Sequence, residues 1–268
     1  YITIVGTLHV DGTGNKVTFV STTPGNTWDY IVINSQNHHN QCYIKFADFI
    51  NGGLQINGNE QIIGCTFKGC NLNNNNSELV LIDASYGGNA SFTDCVFENN
   101  TYDNTVYIDN MGYTNQVTFT NCIFQNNQNT QDAQGIIELD DNTSPVFNNC
   151  DFFNNSCNLS NSDGGVFELR SGASPIFNDC QFINNHSEGN GGVMLIFNNQ
   201  VKFRRCLFEG NSAAKGGVIY SYSNQETQFE SCKFINNSGT TQGGILYTTG
   251  GSTWFINCLT DNNNSPSG

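Results

Sequence analysis

Apolar residues in this chain fall in short runs, often alternating with polar ones, and never at the three-and-four spacing of an amphipathic helix. Tyr1-Ile2-Thr3-Ile4-Val5, Thr7-Leu8-His9-Val10, Lys16-Val17-Thr18-Phe19-Val20 and Tyr30-Ile31-Val32-Ile33 set the style. Runs of three to five residues bounded by Gly, Asn, Asp and Ser are strand-and-turn chemistry. No window sustains a 3.6-residue period, so the prediction is all-β.

The runs repeat. A unit Cys-x-Phe-x-x-Asn reads Cys95, Phe97, Asn100; Cys122, Phe124, Asn127; Cys150, Phe152, Asn155; Cys180, Phe182, Asn185; Cys206, Phe208, Asn211; and Cys232, Phe234, Asn237. Degenerate copies flank it: Cys65 and Phe67 with Cys70 in the Asn place, and Cys258 with Thr260 in the Phe place. Three residues before each Cys from Cys95 on stands another aromatic column: Phe92, Phe119, Phe147, Phe177, Phe203, Phe229 and Phe255. Further upstream, Gly-Gly introduces a third run at Gly164-Gly165, Gly191-Gly192, Gly216-Gly217 and Gly243-Gly244. Each period thus holds three short strands and three turns, too few for a propeller blade. The spacing predicts a right-handed single-stranded parallel β-helix with coils of about 26–30 residues, each residue lying over its counterpart one coil away at ~4.8 Å. On that expectation Phe stacks on Phe in the bore, and Asn on Asn at a turn. Residues 1–64 read as irregular first coils, 65–264 as regular repeats and 265–268 as a polar tail.

The alternation of Gly-Gly-Val/Ile with Phe-x-x-Asn resembles the repeat of the chlamydial polymorphic outer-membrane proteins and related surface β-helices, over about residues 78–264. That family usually has Ala after Gly-Gly, where this chain has Val or Ile, and the Cys before the Phe motif is unusually regular here. The resemblance implies a surface-exposed β-helical passenger or stalk engaged in adhesion. It implies no enzyme residues to carry over.

Composition narrows the function. Charged residues are only 12% of 268, and the surface is left to Asn, Ser, Thr, Gln and Gly, with 44 Asn. A hydrophobic content of 37%, with 20 Phe, is enough for a core, and only four Pro interrupt possible ladders. The net charge of −14 argues against nucleic acid and anionic membrane surfaces as partners. No run approaches the ~20 apolar residues of a membrane-spanning helix. The sequence opens inside a strand-like run, without initiator Met or signal peptide, as expected of a mature secreted chain or a piece of a longer one.

Candidate chemistry is sparse. Aligning the Gly-Gly strands puts Glu138 and Glu168 in one column on neighbouring coils, with Asp140 and Arg170 in the column two places on. The favoured reading is an Asp140–Arg170 ion pair beside two solvated glutamates. The alternative is a carboxylate pair for glycoside hydrolysis, at ~5 Å. Asp109, Asp140 and Asp141 are the acids that could offer hard oxygen ligands to Ca²⁺; no other cofactor is expected. His38-His39 is read as a polar loop and not as a metal pair. Eight Cys share a column: Cys65, Cys95, Cys122, Cys150, Cys180, Cys206, Cys232 and Cys258, whereas Cys42, Cys70 and Cys157 fall outside it. Buried free thiols acting as small hydrophobes are the favoured reading. Of the Asn-x-Ser/Thr sites, Asn75, Asn142 and Asn158 lie in loops and are the better glycan acceptors, whereas Asn185 belongs to the stacked turn. Tyr220, Tyr222 and Tyr247 would serve a carbohydrate-binding module, and surface glycans are the corresponding partner.

The expectation is therefore a non-catalytic extracellular or cell-surface β-helix, structural or adhesive. Its open end coils would pair either head-to-tail with another copy, giving a filament, or with further coils of a longer parent chain, unless the polar tail folds over the last coil as a cap. The alternatives are a polysaccharide-active lyase or hydrolase and a carbohydrate-binding module.

Overall fold

A computed structural model describes residues 2–22, 28, 30–34, 42–70, 78–83, 89–109, 116–131, 134–222 and 225–267. Within them the chain winds through three sheets of ten strands each, all paired parallel to the same sheet's strands one coil before and after. The first sheet holds Ile2–Val5, Tyr30–Asn34, Gly53–Ile56, Val80–Asp83, Val106–Asp109, Ile137–Leu139, Phe167–Leu169, Met194–Phe197, Ile219–Tyr222 and Leu246–Thr248. The second runs from His9–Asp11 to Ser252–Ile256, and the third from Val17–Val20 to Leu259–Asp261. Parallel strands joined by a crossover turn right-handed in nearly every protein. The result is the right-handed parallel β-helix expected from the repeat. A fourth sheet of six short strands, from Thr101–Tyr102 to Ser238–Gln242, adds a segment that the three-strand reading did not contain.

In-register stacking turns sequence columns into physical ones. Phe97, Phe124, Phe152, Phe182, Phe208 and Phe234 pair in turn along the third sheet. Their ring centroids lie 4.5–5.0 Å apart, nearly parallel. The second Phe column meets the first edge-on, for example Phe203 against Phe208 at 5.2 Å and 78°. Stacking along the axis combined with edge-to-face contact across the bore satisfies the ring quadrupole in both directions. Both columns are fully buried from Phe92 to Phe234, and the first sheet closes the third side with mostly aliphatic residues and Phe167, whose ring meets both columns edge-on.

The corners explain the asparagine. Between the second and third sheets stand Asp94, Asn121, Asn149, Asp179, Arg205, Ser231 and Asn257, and between the third and fourth Asn99, Asn126, Asn154, Asn184, Asn236 and Asn262. All have φ between 49° and 58°. This left-handed conformation is one that Asn and Asp tolerate better than other non-glycine residues. The residue after the second corner forms an internal ladder: Asn100, Asn127, Asn155, Asn185, Asn211, Asn237 and Asn263. From Asn127 on, each Asn Oδ1 accepts from the backbone N–H and the Nδ2 of the ladder Asn one coil earlier, as Asn211 Oδ1 does from Asn185 at 2.9 and 3.0 Å, and Asn100 Oδ1 accepts from the Cys70 N–H. Each Nδ2 also donates to a Phe carbonyl, Asn185 to Phe152 at 2.9 Å. At the Gly-Gly turn Gly191 has φ +64, and a Cβ on Gly192 would lie 2.3 Å from the Gly217 carbonyl oxygen on the next coil. Positive φ selects the first glycine, and close approach between coils selects the second.

Candidate functional site

The outer face of the first sheet is where polar and aromatic side chains gather. Glu138 and Glu168 pair in register on neighbouring coils, flanked in the same column by Tyr107 and Leu195. Two residues on, Asp109, Asp140, Arg170, Phe197 and Tyr222 follow one another. Arg170 reaches sideways across this grid, with Nε 2.5 Å from Glu168 Oε1 and Nη1 3.3 Å from Glu138 Oε1. The expected Asp140–Arg170 pair is therefore replaced by one arginine holding both glutamates. Nor are those glutamates solvated: their side chains are 8% and 3% exposed, against 40% for Arg170. The reason is geometric. Two outward carboxylates one coil apart repel each other, and a guanidinium between them offsets that repulsion, reaching one oxygen of each. Asp140 instead accepts from the Asp141 N–H at 2.8 Å and caps the following turn.

The neighbourhood remains acidic. Burial opposes the Arg170 charge, but its hydrogen bond to Glu168 and the charges of Glu168, Glu138 and Asp140 hold its pKa above the usual value. Burial, then Asp109, Glu138, Asp140 and Asp141, push the Tyr107 phenol upward. Burial also raises the Asp163 carboxyl, against an Asn190 amide bond at 2.8 Å and the attraction of Arg170. Asp109 and Asp140 sit side by side on adjacent coils and Asp141 turns into the corner. Among the described residues, no three His, Cys, Asp or Glu converge where they could hold a metal ion.

Beyond Arg170 the face is aromatic. Phe197 and Tyr222 stack at 5.1 Å and 1°, Tyr220 and Tyr247 at 5.2 Å, and Lys215 Nζ lies 5.3 Å from the Tyr247 centroid. Stacking along the helix axis turns ring faces toward one another and ring edges outward. Tyr220 is buried and Tyr247 half-buried, and Phe197 and Tyr222 are exposed. Each stack occupies one face of each of its two rings.

The remaining sequence-derived positions are placed as follows. Asn142 is exposed at a corner with φ 60, followed by a buried Thr143, and Asn158 is exposed just past Ser156–Cys157. Asn75 and His38-His39 lie outside the described residues. Cys95, Cys122, Cys150, Cys180, Cys206 and Cys232 are buried free thiols in one column. Two features went unread in the sequence. The lateral reach of Arg170 has no one-dimensional signature, because it runs between columns. The corner asparagines did have one, an Asn, Asp or Ser just before most column Cys.

Residues 155–267 match a family model described as a right-handed beta helix region. No curated protein matches the chain. Among solved structures, the A-module of the Azotobacter vinelandii mannuronan C-5 epimerase AlgE6 aligns at 9% identity and a TM-score of 0.27, covering 90% of this chain and 91% of that one. At that level the likeness carries no weight for chemistry.

Proposed function

We propose that the chain is a non-catalytic β-helix of the cell surface or extracellular space, structural or adhesive in role, that associates end to end. The observation that carries this reading is Arg170 bridging Glu138 and Glu168, the carboxylate pair that the sequence offered for glycoside hydrolysis. Both acids are buried and engaged, so neither is poised to give or take a proton at an incoming sugar. The repeat's resemblance to chlamydial surface proteins supports a stalk or passenger. A surface of Asn, Ser and Thr with exposed Asn142 and Asn158 suits a secreted glycoprotein. Association is supported by the end coils. Ile2, Val5 and Val20 are exposed at one, and Trp254, Phe255, Ile256 and Leu259 at the other. Their edge strands are also templates for another coil. We take that coil to be a second copy.

The test is sedimentation of the purified chain together with an assay of glycan breakdown. The wild type should form concentration-dependent assemblies, and Trp254→Asp/Leu259→Asp should sediment as a monomer with unchanged circular dichroism. A monomeric wild type sinks the association. Pectin and alginate should stay intact; cleavage lost in Glu138→Gln or Glu168→Gln would establish the polysaccharide-active alternative.

A further inference from the structure

The column of eight thiols is built with more regularity than packing requires. Each column Cys accepts, through its carbonyl, the N–H of the residue after the next coil's Cys, in an unbroken series from Val96 N–H to Cys65 through Leu259 N–H to Cys232. Each Sγ–H points to the same two acceptors, the carbonyl two residues earlier and one on the preceding coil. For Cys150 these are Asn148 at 3.4 Å and Phe119 at 3.5 Å; for Cys206 they are Arg204 at 3.4 Å and Phe177 at 3.6 Å. The pattern holds from Cys65 to Cys258. Eight side chains therefore share one rotamer, and successive sulfurs are separated by one coil. That repeat is ~4.8 Å, in keeping with the 4.8–5.0 Å between Phe rings on the same coils.

A repeat of this length sets the chemistry. In-register strands hold neighbouring Cβ atoms farther apart than the ~3.8 Å of a disulfide. A tetrahedral ion needs four converging ligands, and a straight column offers two. A linear two-coordinate ion is different. With metal–thiolate bonds of about 2.3 Å, sulfur–metal–sulfur spans about 4.6 Å, one coil. Soft thiolates select soft d¹⁰ ions.

We propose that the thiol column binds soft d¹⁰ cations of the Cu(I) and Hg(II) class, each bridging two neighbouring cysteines that no other ion uses, in linear coordination. Each ion displaces the protons of the two thiols it bridges. Cu(I) then leaves one negative charge per site and Hg(II) leaves none, so Hg(II) is held more firmly in the apolar bore. A thiolate is used once, and eight thiols make four sites. Cys42, Cys70 and Cys157 have no cysteine above or below them and hold no ion against a competing thiol.

The test separates adjacency from thiol number. The full-length reduced chain is refolded with Cu(I) or, in a second arm, Hg(II), then desalted in millimolar glutathione, and bound metal is counted by mass spectrometry. Wild type should retain four ions. Cys65→Ala/Cys258→Ala leaves six consecutive thiols and should retain three. Cys95→Ala/Cys150→Ala also leaves six but isolates Cys65 and Cys122, and should retain two. Ala47 and Val17 continue the same column in the first coils, so either residue is tolerated there, and the valine pair replaces any alanine pair that fails to fold. X-ray absorption should show two sulfur neighbours per metal. Equal retention by the two double variants, or none by wild type, overturns the proposal.

Discussion

At the residue scale, what matters is what a charge is next to. Glu138 and Glu168 are both engaged by one neighbour, Arg170, whose side chain lies across the grid. Asp163 shows the opposite case, a carboxyl half-hidden beside an amide and only distantly helped by a cation. Burial raises its folded pKa above the unfolded value. Its contribution to stability is therefore most favourable at low pH and diminishes as pH rises through the folded value. Asp163→Asn keeps the shape and removes the charge. It should raise the melting temperature at pH 7 by about a degree or two, and the gain should vanish by about pH 3, below the unfolded carboxyl range. A gain unchanged by acidification would mean that the carboxylate is not strained.

At the scale of the element, strands of three residues are too short to hold themselves, and the corners fix them. The ladder asparagine binds each corner to the coils before and after it. Removing the Asn185 side chain takes the Oδ1 acceptor from the buried Asn155 N–H, and takes one donor each from the Phe152 carbonyl and from Asn211 Oδ1, which keeps the Asn185 backbone N–H. Asn185→Ala should cost ~2–4 kcal/mol in urea unfolding. Asn185→Asp should cost more, since a carboxylate accepts but gives nothing to Phe152 or Asn211. Asn263→Ala, at the last rung, should cost clearly less. A similar cost at both positions would show that the ladder does not act along its length.

For the whole molecule, stability is a sum over neighbouring coils, because a solenoid has contacts only to the coil above and the coil below. The central coils have two dry interfaces and the outermost ones a single dry interface each. Amide hydrogen exchange should therefore be slowest in the strands around Phe152, Phe177 and Phe182. It should quicken toward Ile2–Val5 and toward Ser252–Ile256 and Leu259–Asp261, where Phe255 and Leu259 are already exposed. End-to-end association should remove much of that gradient, so the same measurement on assembled and monomeric protein joins folding to function. A flat profile in the monomer would mean that the coils unfold as one cooperative block.

The sequence by itself determined the fold, the coil length, the register and the contents of each column. The reason is that in a parallel β-helix a period in the chain is a stacking in space. Cys65 to Cys258 and Phe97 to Phe234 could be aligned with no knowledge of where the bore lies. The pattern could not say what happens across the surface, between columns, or at a corner. Arg170 choosing two glutamates over Asp140 depends on distances between residues that no period relates, whereas the corner residues and the short fourth sheet follow the coil period and only their backbone conformation and pairing had to come from the structure. The thiols combine the two. Their alignment is in the sequence, but the common rotamer that puts every sulfur one coil from the next is a property of the packed bore.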